Sequence, residues 1–296
     1  MSFSKNLKAE LATKPEKTCC RFAETYGLLL GADSFSHENL SFVTECEDVI
    51  TRLNENCKRL FKLNLNIKCA GNKKEIFTAF LPKHSADIIK EAFSGSEKTV
   101  IKEHNINDEC CQAAFLRGMF LSCGYMDDPK KNYNLEFALS DLTLAFELNK
   151  FLNEKGLYCK LTSRKNYAIV YIKDSDILED FLTTVGAADK TLELVNIKIL
   201  KDMRNRENRT SNCTVANIEK TVNASVTQRR AIDALKKSGI LDDLSIELRQ
   251  AAKLRTENFD ASISELAALS PEKISRSGLN HRLQKLINIA KENNLI

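Results

Sequence analysis

CCRFAETYGLLL (residues 19–30) and CCQAAFLRGMFL (residues 110–121) are two versions of one stretch, set 91 residues apart. They agree at Cys19/Cys110, Cys20/Cys111, Ala23/Ala114, Gly27/Gly118 and Leu30/Leu121. The segments after each copy run in the same order. After the first come an extended run (39–46), a helical run (47–63), two extended runs (64–70 and 75–81) and a helix (85–93). After the second the corresponding segments are 133–139, 142–155, 158–163, 167–173 and 175–185. Alternation in Leu65, Ile67, Cys69 and in Ile169, Tyr171 marks the strands. Three-four spacing marks the helices, as in Val49, Leu53, Cys57, Leu60 and in Leu144, Phe146, Leu148, Leu152. The chain is thus expected to repeat one mixed α/β unit.

Gly27 and Gly118 stand in the middle of strongly helical patterns, where glycine costs about 1 kcal/mol relative to alanine. A single such glycine is commonly tolerated without a role. Matched glycines in both copies point instead to close approach of two backbones, as when the two helices pack across a pseudo-two-fold axis.

Composition sets the frame around this repeat. At 296 residues the chain is longer than one hydrophobic core usually organises, so two or three domains are expected. Apolar residues at 43% and charged residues at 28% describe a globular chain rather than a disordered one. No uncharged apolar run approaches the ~18 residues of a membrane span, and the first 17 residues alternate charged and apolar positions without the apolar centre of a secretory signal. The expectation is a cytoplasmic protein with no membrane partner. The net charge of +4 is uninformative until it is located. Residues 1–205 hold 29 basic and 29 acidic side chains, whereas residues 206–296 hold 15 and 11. Between 273 and 291 stand Lys273, Arg276, Arg282, Lys285 and Lys291 with no acid among them, a local field suited to a polyanion.

Ten cysteines in a long chain without an export signal are expected to be reduced thiols. No C-x-x-C pair occurs, and His37, His84, His104 and His281 are scattered. The vicinal pairs Cys19-Cys20 and Cys110-Cys111 could together offer an all-thiolate zinc site. The alternative, which is the expectation, makes them small apolar residues opening a buried helix, with no metal and no cofactor.

The last third lacks strand patterns. The polar stretch from Lys198 to Arg209 suits a helix end or a linker, or simply a solvated surface. Helical spacing then runs through Ala216, Ile218 and Val222, through Ile232, Leu235 and Ile240, and through Leu244, Ile246, Leu248 and Ala252. Ser262-Ile-Ser-Glu265 is a capping box for a short helix with Ile263, Leu266, Ala267 and Leu269 facing inward. After a proline turn, Ser275 or Ser277 can cap a longer helix whose apolar side is Leu279, Leu283, Leu286, Ile287 and Ala290. Two helices joined by a tight polar turn, with the second basic, form a helix-turn-helix pattern, although the same spacing also occurs in other helical hairpins. On the DNA reading Arg276, Ser277, Asn280 and His281 approach base edges, because arginine can read guanine and asparagine adenine. Lys273, Arg282 and Lys285 approach phosphates, and Ser275 belongs to the same contact region.

Two resemblances add to these readings. Leu116-Arg-Gly-Met-Phe-Leu-Ser-Cys-Gly124 resembles a degenerate LAGLIDADG motif, and Thr25-Tyr-Gly-Leu-Leu-Leu-Gly-Ala-Asp33 a weaker copy. The homing-endonuclease family of that motif has a metal-binding aspartate at the eighth position, where this chain carries Ala32 and Cys123. Asp33, Asp127 and Asp128 are displaced from it, so the expectation is a retained scaffold without nuclease activity. Asn212-Cys-Thr-Val-Ala-Asn-Ile-Glu-Lys-Thr-Val-Asn-Ala-Ser225 and Ile274-Ser-Arg-Ser-Gly-Leu-Asn-His-Arg-Leu283 complete a pattern that resembles the WhiA family over almost the whole chain. Ser122-Cys123 departs from the small residues or glycine that family members often carry there. The resemblance implies a bacterial, cytoplasmic, nucleoid-associated DNA-binding regulator of sporulation or of cell division and chromosome segregation. Its helix-turn-helix would resemble the promoter-reading part of sigma factors.

The fold expected is α+β, with two pseudo-symmetric LAGLIDADG-like α/β repeats (1–100, including an N-terminal helix, and 101–203) followed by an all-α helix-turn-helix domain (212–296). Double-stranded DNA is the expected partner. The alternative is an interaction module that docks an RNA polymerase sigma factor, another regulator or a division protein and binds DNA only weakly.

Overall fold

The two glycine-marked stretches form α2 (Thr18–Gly31) and α5 (Glu109–Cys123), which lie side by side and parallel. A Cβ placed on Gly27 would overlap the Phe115 carbonyl oxygen, and one on Gly118 would overlap the carbonyl oxygen of Glu24. Backbone therefore touches backbone at both points, which only glycine permits. Gly31 in turn meets Ser122 and Cys123, so each residue lies beside its own counterpart in the repeat. That is the packing a two-fold axis parallel to both helices produces.

The computed structural model describes residues 2–15, 17–32, 40–71, 75–93 and 100–296. They fall into two compact units, Met1–Lys201 and Asp202–Ile296. In the first unit α1 (Phe3–Ala12) precedes α2, whose half continues through β1 (Leu40–Thr44), α3 (Glu47–Phe61), β2 (Asn66–Ala70), β3 (Ile76–Leu81) and α4 (Lys83–Ala92). After α5 come β4 (Gly124–Met126), β5 (Leu135–Leu139), α6 (Leu142–Glu154), β6 (Lys160–Arg164), β7 (Tyr167–Ile172) and α7 (Ser175–Val185). Among the described residues the first sheet has the antiparallel order β1-β3-β2 and the second β4-β5-β7-β6. The shared order β1-β3-β2 and β5-β7-β6 confirms the repeat, while β4 is too short for alternation to reveal and its counterpart positions 33–35 lie outside the described residues.

Local chemistry sets the element ends. Glu47 and Asp48 open α3 and Lys58 and Arg59 close it, each sign matched to the helix dipole. Asp141 caps α6 by accepting from the Leu144 amide (3.0 Å), and Asp174 caps α7 by accepting from the Asp176 amide (2.8 Å). Aromatic rings fill the space between helices and sheets. Phe120 of α5, Phe137 of β5 and Phe181 of α7 meet at centroid distances of 5.8–6.3 Å.

Several sequence expectations are corrected. Every residue of β2 is exposed, including Ile67 and Cys69 of the expected alternating face, because β2 is an edge strand that the buried core does not reach. The polar run 198–209 is solvated over most of its length and contains the boundary between the two units, as expected, but it is not a helix end. It lies inside α8 (Ala188–Lys237), which has residues in both units. Lys198 itself is paired with Asp176 (2.5 Å) and Glu179 (2.6 Å) rather than solvated alone. Ile218 and Val222, 57% and 48% exposed, are not core residues despite their helical spacing.

The second unit packs the C-terminal part of α8 with α9 (Ile246–Glu257), α10 (Ile263–Leu269) and α11 (Arg276–Glu292). Its core joins Ala231, Ile232 and Leu235 to Leu248, Ala252, Leu266, Leu279, Leu283, Leu286, Ile287 and Ala290. Ile246 and Leu269, expected inward, are exposed at the ends of their helices.

Candidate nucleic-acid interface

α10, the turn 270–275 and α11 build the helix-turn-helix. The capping box forms as read, with the Glu265 amide donating to Ser262 Oγ (3.3 Å) and the Ser262 amide to Glu265 Oε2 (2.7 Å). Those hydrogen bonds hold the Glu265 carboxyl below its ordinary range. Ser275, not Ser277, caps α11: its Oγ accepts from the Gly278 amide at 3.1 Å and lies 3.0 Å from Ser277 Oγ. The expected apolar side of α11 is buried throughout.

The opposite side of α11 is open. Arg276, Ser277, Asn280, His281 and Lys285 are all exposed, as is Lys273 in the turn. Helical geometry places Ser277, Asn280, His281 and Lys285 on one face, together with Gln284 and Asn288. Gln284 and Asn288 share a side-chain hydrogen bond (3.3 Å) and were not among the expected contacts. Their four-residue spacing from Asn280 was the available signal. Arg282 stands apart on the flank, where its Nη1 donates to Glu272 Oε2 at 2.9 Å. Glu247, at the start of α9, is held below the ordinary glutamate range by hydrogen bonding at Ser245 and at its own amide, with a smaller contribution from Arg282 and Lys285. The acids that temper the basic stretch 273–291 are therefore supplied by the turn and by α9.

In the first unit, the motif positions Ala32 and Cys123 lie at the C-terminal ends of α2 and α5. Cys123 Sγ donates to the Met119 carbonyl (3.3 Å), and burial pushes its thiol up to about 12, so it is a neutral thiol. Beside it, Lys8 of α1 donates to the Leu121 carbonyl (3.0 Å), and Ser4 Oγ accepts from the Met126 amide (3.2 Å). Burial lowers the Lys8 pKa, against the raising influence of Cys123, Cys46 and Glu45. A lysine side chain thus lies beside Cys123, where the motif of the homing endonucleases has a metal-binding carboxylate. Asp128 is engaged in its own turn, accepting from the Lys130 amide (2.9 Å). Asp33 lies outside the described residues.

Between the two halves the structure places a polar cluster that the repeat did not reveal. Glu24 of α2 is fully buried and accepts from Arg52 Nε (2.6 Å), Asn56 Nδ2 (3.1 Å) and Arg117 Nε (2.8 Å). Arg117 of α5 also donates to the Val185 carbonyl (2.8 Å), and burial lowers its pKa to about 10. Glu24 aligns with Phe115 in the repeat and Arg117 with Tyr26, so the cluster breaks the internal symmetry and repeat matching was blind to it.

The parallel packing has one more consequence. Cys19 and Cys20 on α2 and Cys110 and Cys111 on α5 bring their four sulfur atoms within 4.8 Å of one another. Burial acts to raise the Cys19 thiol, but hydrogen bonds from Cys111, from Cys20 and from the Cys20 amide outweigh it and leave it lowered. Burial pushes Cys111 up to about 11.

Comparison with known proteins accords with this architecture. Residues 112–204 match the family profile described as the WhiA LAGLIDADG-like domain, and residues 208–290 match the WhiA C-terminal HTH domain. The chain is 35% identical to a probable cell division protein WhiA of Caldicellulosiruptor saccharolyticus, covering 99% of this chain and 95% of that protein. A protein of the same description from Alkaliphilus metalliredigens is also 35% identical, over 98% of each chain. The crystal structure of full-length DUF199/WhiA from Thermatoga maritima superposes with a TM-score of 0.59 at 25% identity, covering 99% of both chains. With two α/β repeats of LAGLIDADG-like form and a helix-turn-helix at the C-terminal end, the chain belongs to the WhiA family.

Proposed function

We propose that this protein is a non-enzymatic regulator that binds double-stranded DNA through α11 and acts in transcription control linked to sporulation or to cell division and chromosome segregation. The observation that carries the reading is the exposed face of α11, with Ser277, Asn280, His281 and Lys285 aligned opposite a fully buried apolar side. Short polar groups on a helix of this kind reach base edges in the major groove, while cations outside the base-reading set anchor phosphates. Arg276, Ser277, Asn280 and His281 serve as base readers, and Lys273, Lys285 and Arg282 as phosphate contacts, Arg282 after release from Glu272. Ser275 contributes by fixing the helix start, where amide groups favour phosphate.

The absence of carboxylates at positions 32 and 123 supports the non-enzymatic part of the reading. Hydrolysis of a phosphodiester by hard divalent ions requires oxygen ligands, and the side chains here are a methyl group and a protonated thiol. The described residues include no helix long and apolar enough to cross a membrane, which accords with a place at the nucleoid. The partition into repeats 1–100 and 101–203 and a reading domain 212–296 belongs to the same proposal.

A gel-shift series on mapped genomic fragments tests it. Arg276→Ala and Asn280→Ala are expected to weaken specific binding by about 1–3 kcal/mol each, and Lys285→Ala to weaken all sequences alike while flattening the salt dependence. Unchanged affinity and selectivity in all three variants would overturn the assignment. The competing interaction-module reading has its own support in the exposed Val43, Ile76 and Phe80 of the first sheet. It predicts a tight, salt-insensitive complex with a sigma factor or division protein and weak DNA binding.

A further inference from the structure

We infer that Cys19, Cys20, Cys110 and Cys111 form a tetrathiolate site for a thiophilic divalent cation, zinc foremost, that clamps the N-terminal ends of α2 and α5 together. The geometry is close to what such a site needs. Four ligands at a Zn–S distance of about 2.3 Å on a tetrahedron have sulfur atoms about 3.8 Å apart. Cys19 and Cys20 Sγ are already 3.9 Å apart, and no pair among the four exceeds 4.8 Å, so small rotamer adjustments complete the shell. All four are free thiols, two of them buried and two exposed, which leaves the site a path for metal entry.

The surrounding backbone suits the charge that would form. Binding converts four thiols and one Zn²⁺ into a dianionic centre and releases four protons, with no change of oxidation state. Both cysteine pairs sit at the second and third positions of their helices, where backbone amides have no intrahelical acceptor. Neither helix carries a side-chain cap, since Lys17 precedes α2 and the Asp108 side chain makes no capping hydrogen bond on α5. Two positive helix ends and their unpaired amides therefore converge on one cluster of sulfurs, the arrangement that stabilises thiolates. The pairs meet because parallel packing across the pseudo-two-fold axis sets residue i beside residue i+91, which no C-x-x-C spacing would announce.

The test uses the full chain, purified under reducing conditions, stripped of metal and dialysed against zinc. Elemental analysis is expected to find one zinc per chain, retained in Cys69→Ser/Cys213→Ser and lost in Cys19→Ser/Cys110→Ser, the two exposed ligands whose replacement leaves the buried packing intact. Cobalt loading of the unaltered protein is expected to give a thiolate-to-metal charge-transfer band and intense tetrahedral d–d bands, and zinc is expected to raise the thermal midpoint of the unaltered and Cys69→Ser/Cys213→Ser proteins but not of Cys19→Ser/Cys110→Ser. No stoichiometric zinc in the unaltered chain would overturn the site, as would cobalt spectra without thiolate bands or equal zinc in the Cys19→Ser/Cys110→Ser protein. Two disulfides joining these four residues in anaerobically purified protein would equally overturn it, identifying a redox pair instead.

Discussion

Replacing Glu24 by alanine removes a buried acid that Arg52, Asn56 and Arg117 share at the junction of the two halves. Glu24 is fully buried, and its oxygens accept from Arg52 at 2.6 and 3.2 Å, from Asn56 at 3.1 Å and from Arg117 at 2.8 Å. Its loss leaves two guanidinium groups, each less than one-tenth exposed, without their shared counter-charge. Removing one partner of a buried ion pair costs about 3–5 kcal/mol, and the Val185 carbonyl, still bound by Arg117, offsets a small part. For a unit of this size each kcal/mol moves the thermal midpoint by about 2–4 °C, so the expected fall is on the order of 10 °C. Tyrosine fluorescence isolates the effect, because all six tyrosines lie before residue 202 and the chain has no tryptophan. Urea melts of Glu24→Ala, Arg117→Met and the double variant form a cycle. The double variant is expected to lose at least about 1 kcal/mol less than the sum of the singles, since Arg117→Met removes one of the stranded charges. A Glu24→Ala loss below about 1 kcal/mol, or strict additivity, would refute the idea that this cluster holds the halves in register.

Further outcomes rest on the same packing. Gly118→Ala places a methyl group against the Glu24 carbonyl and is expected to cost at least ~2 kcal/mol in the same tyrosine-monitored melt, whereas Gly156→Ala, with open space around it but φ at +76°, should cost only about 1 kcal/mol of backbone strain and leave the α2–α5 contact undisturbed. Ser262→Ala breaks the capping box of α10 and should destabilise the second unit by about 1 kcal/mol, read by far-UV circular dichroism. The Asp176 carboxyl is held below its ordinary value of 3.8 by the hydrogen bond and charge of Lys198. A depressed folded value means its stabilisation is present above pH 3.8 and lost as pH falls through the lower value. Urea midpoints between about pH 5 and 2 should therefore decline less steeply in Lys198→Met than in the unaltered chain.

How far the sequence reads depends on whether the information is local or shared between distant segments. The repeated order of strands and helices, the cap at Ser262 and the buried side of α11 were legible, because each rests on spacing or capping within a few residues, whereas the cap of α11 was left between Ser275 and Ser277. The matched glycines even announced the helix contact, since only a backbone approach rewards glycine at both positions. Local pattern misled where burial depends on what lies opposite. Ile218 and Val222 repeat at helical spacing but meet no partner, and Ile67 alternates on an edge strand that nothing covers. The ion pair that the turn acid Glu272 makes with Arg282 joins separate elements, which no periodicity could show.

By itself, then, the sequence determined the two-fold repeat, the helical C-terminal unit and the lack of aspartate at motif positions 32 and 123, because these are properties of residues at fixed spacing. Only the tertiary structure decided that Glu24 would bind arginines from α3 and α5, and that two cysteine pairs 91 residues apart would bring their sulfur atoms within 4.8 Å of one another. Such groupings arise from parallel packing of α2 against α5, a relation between segments that the chain encodes but no single stretch of it displays.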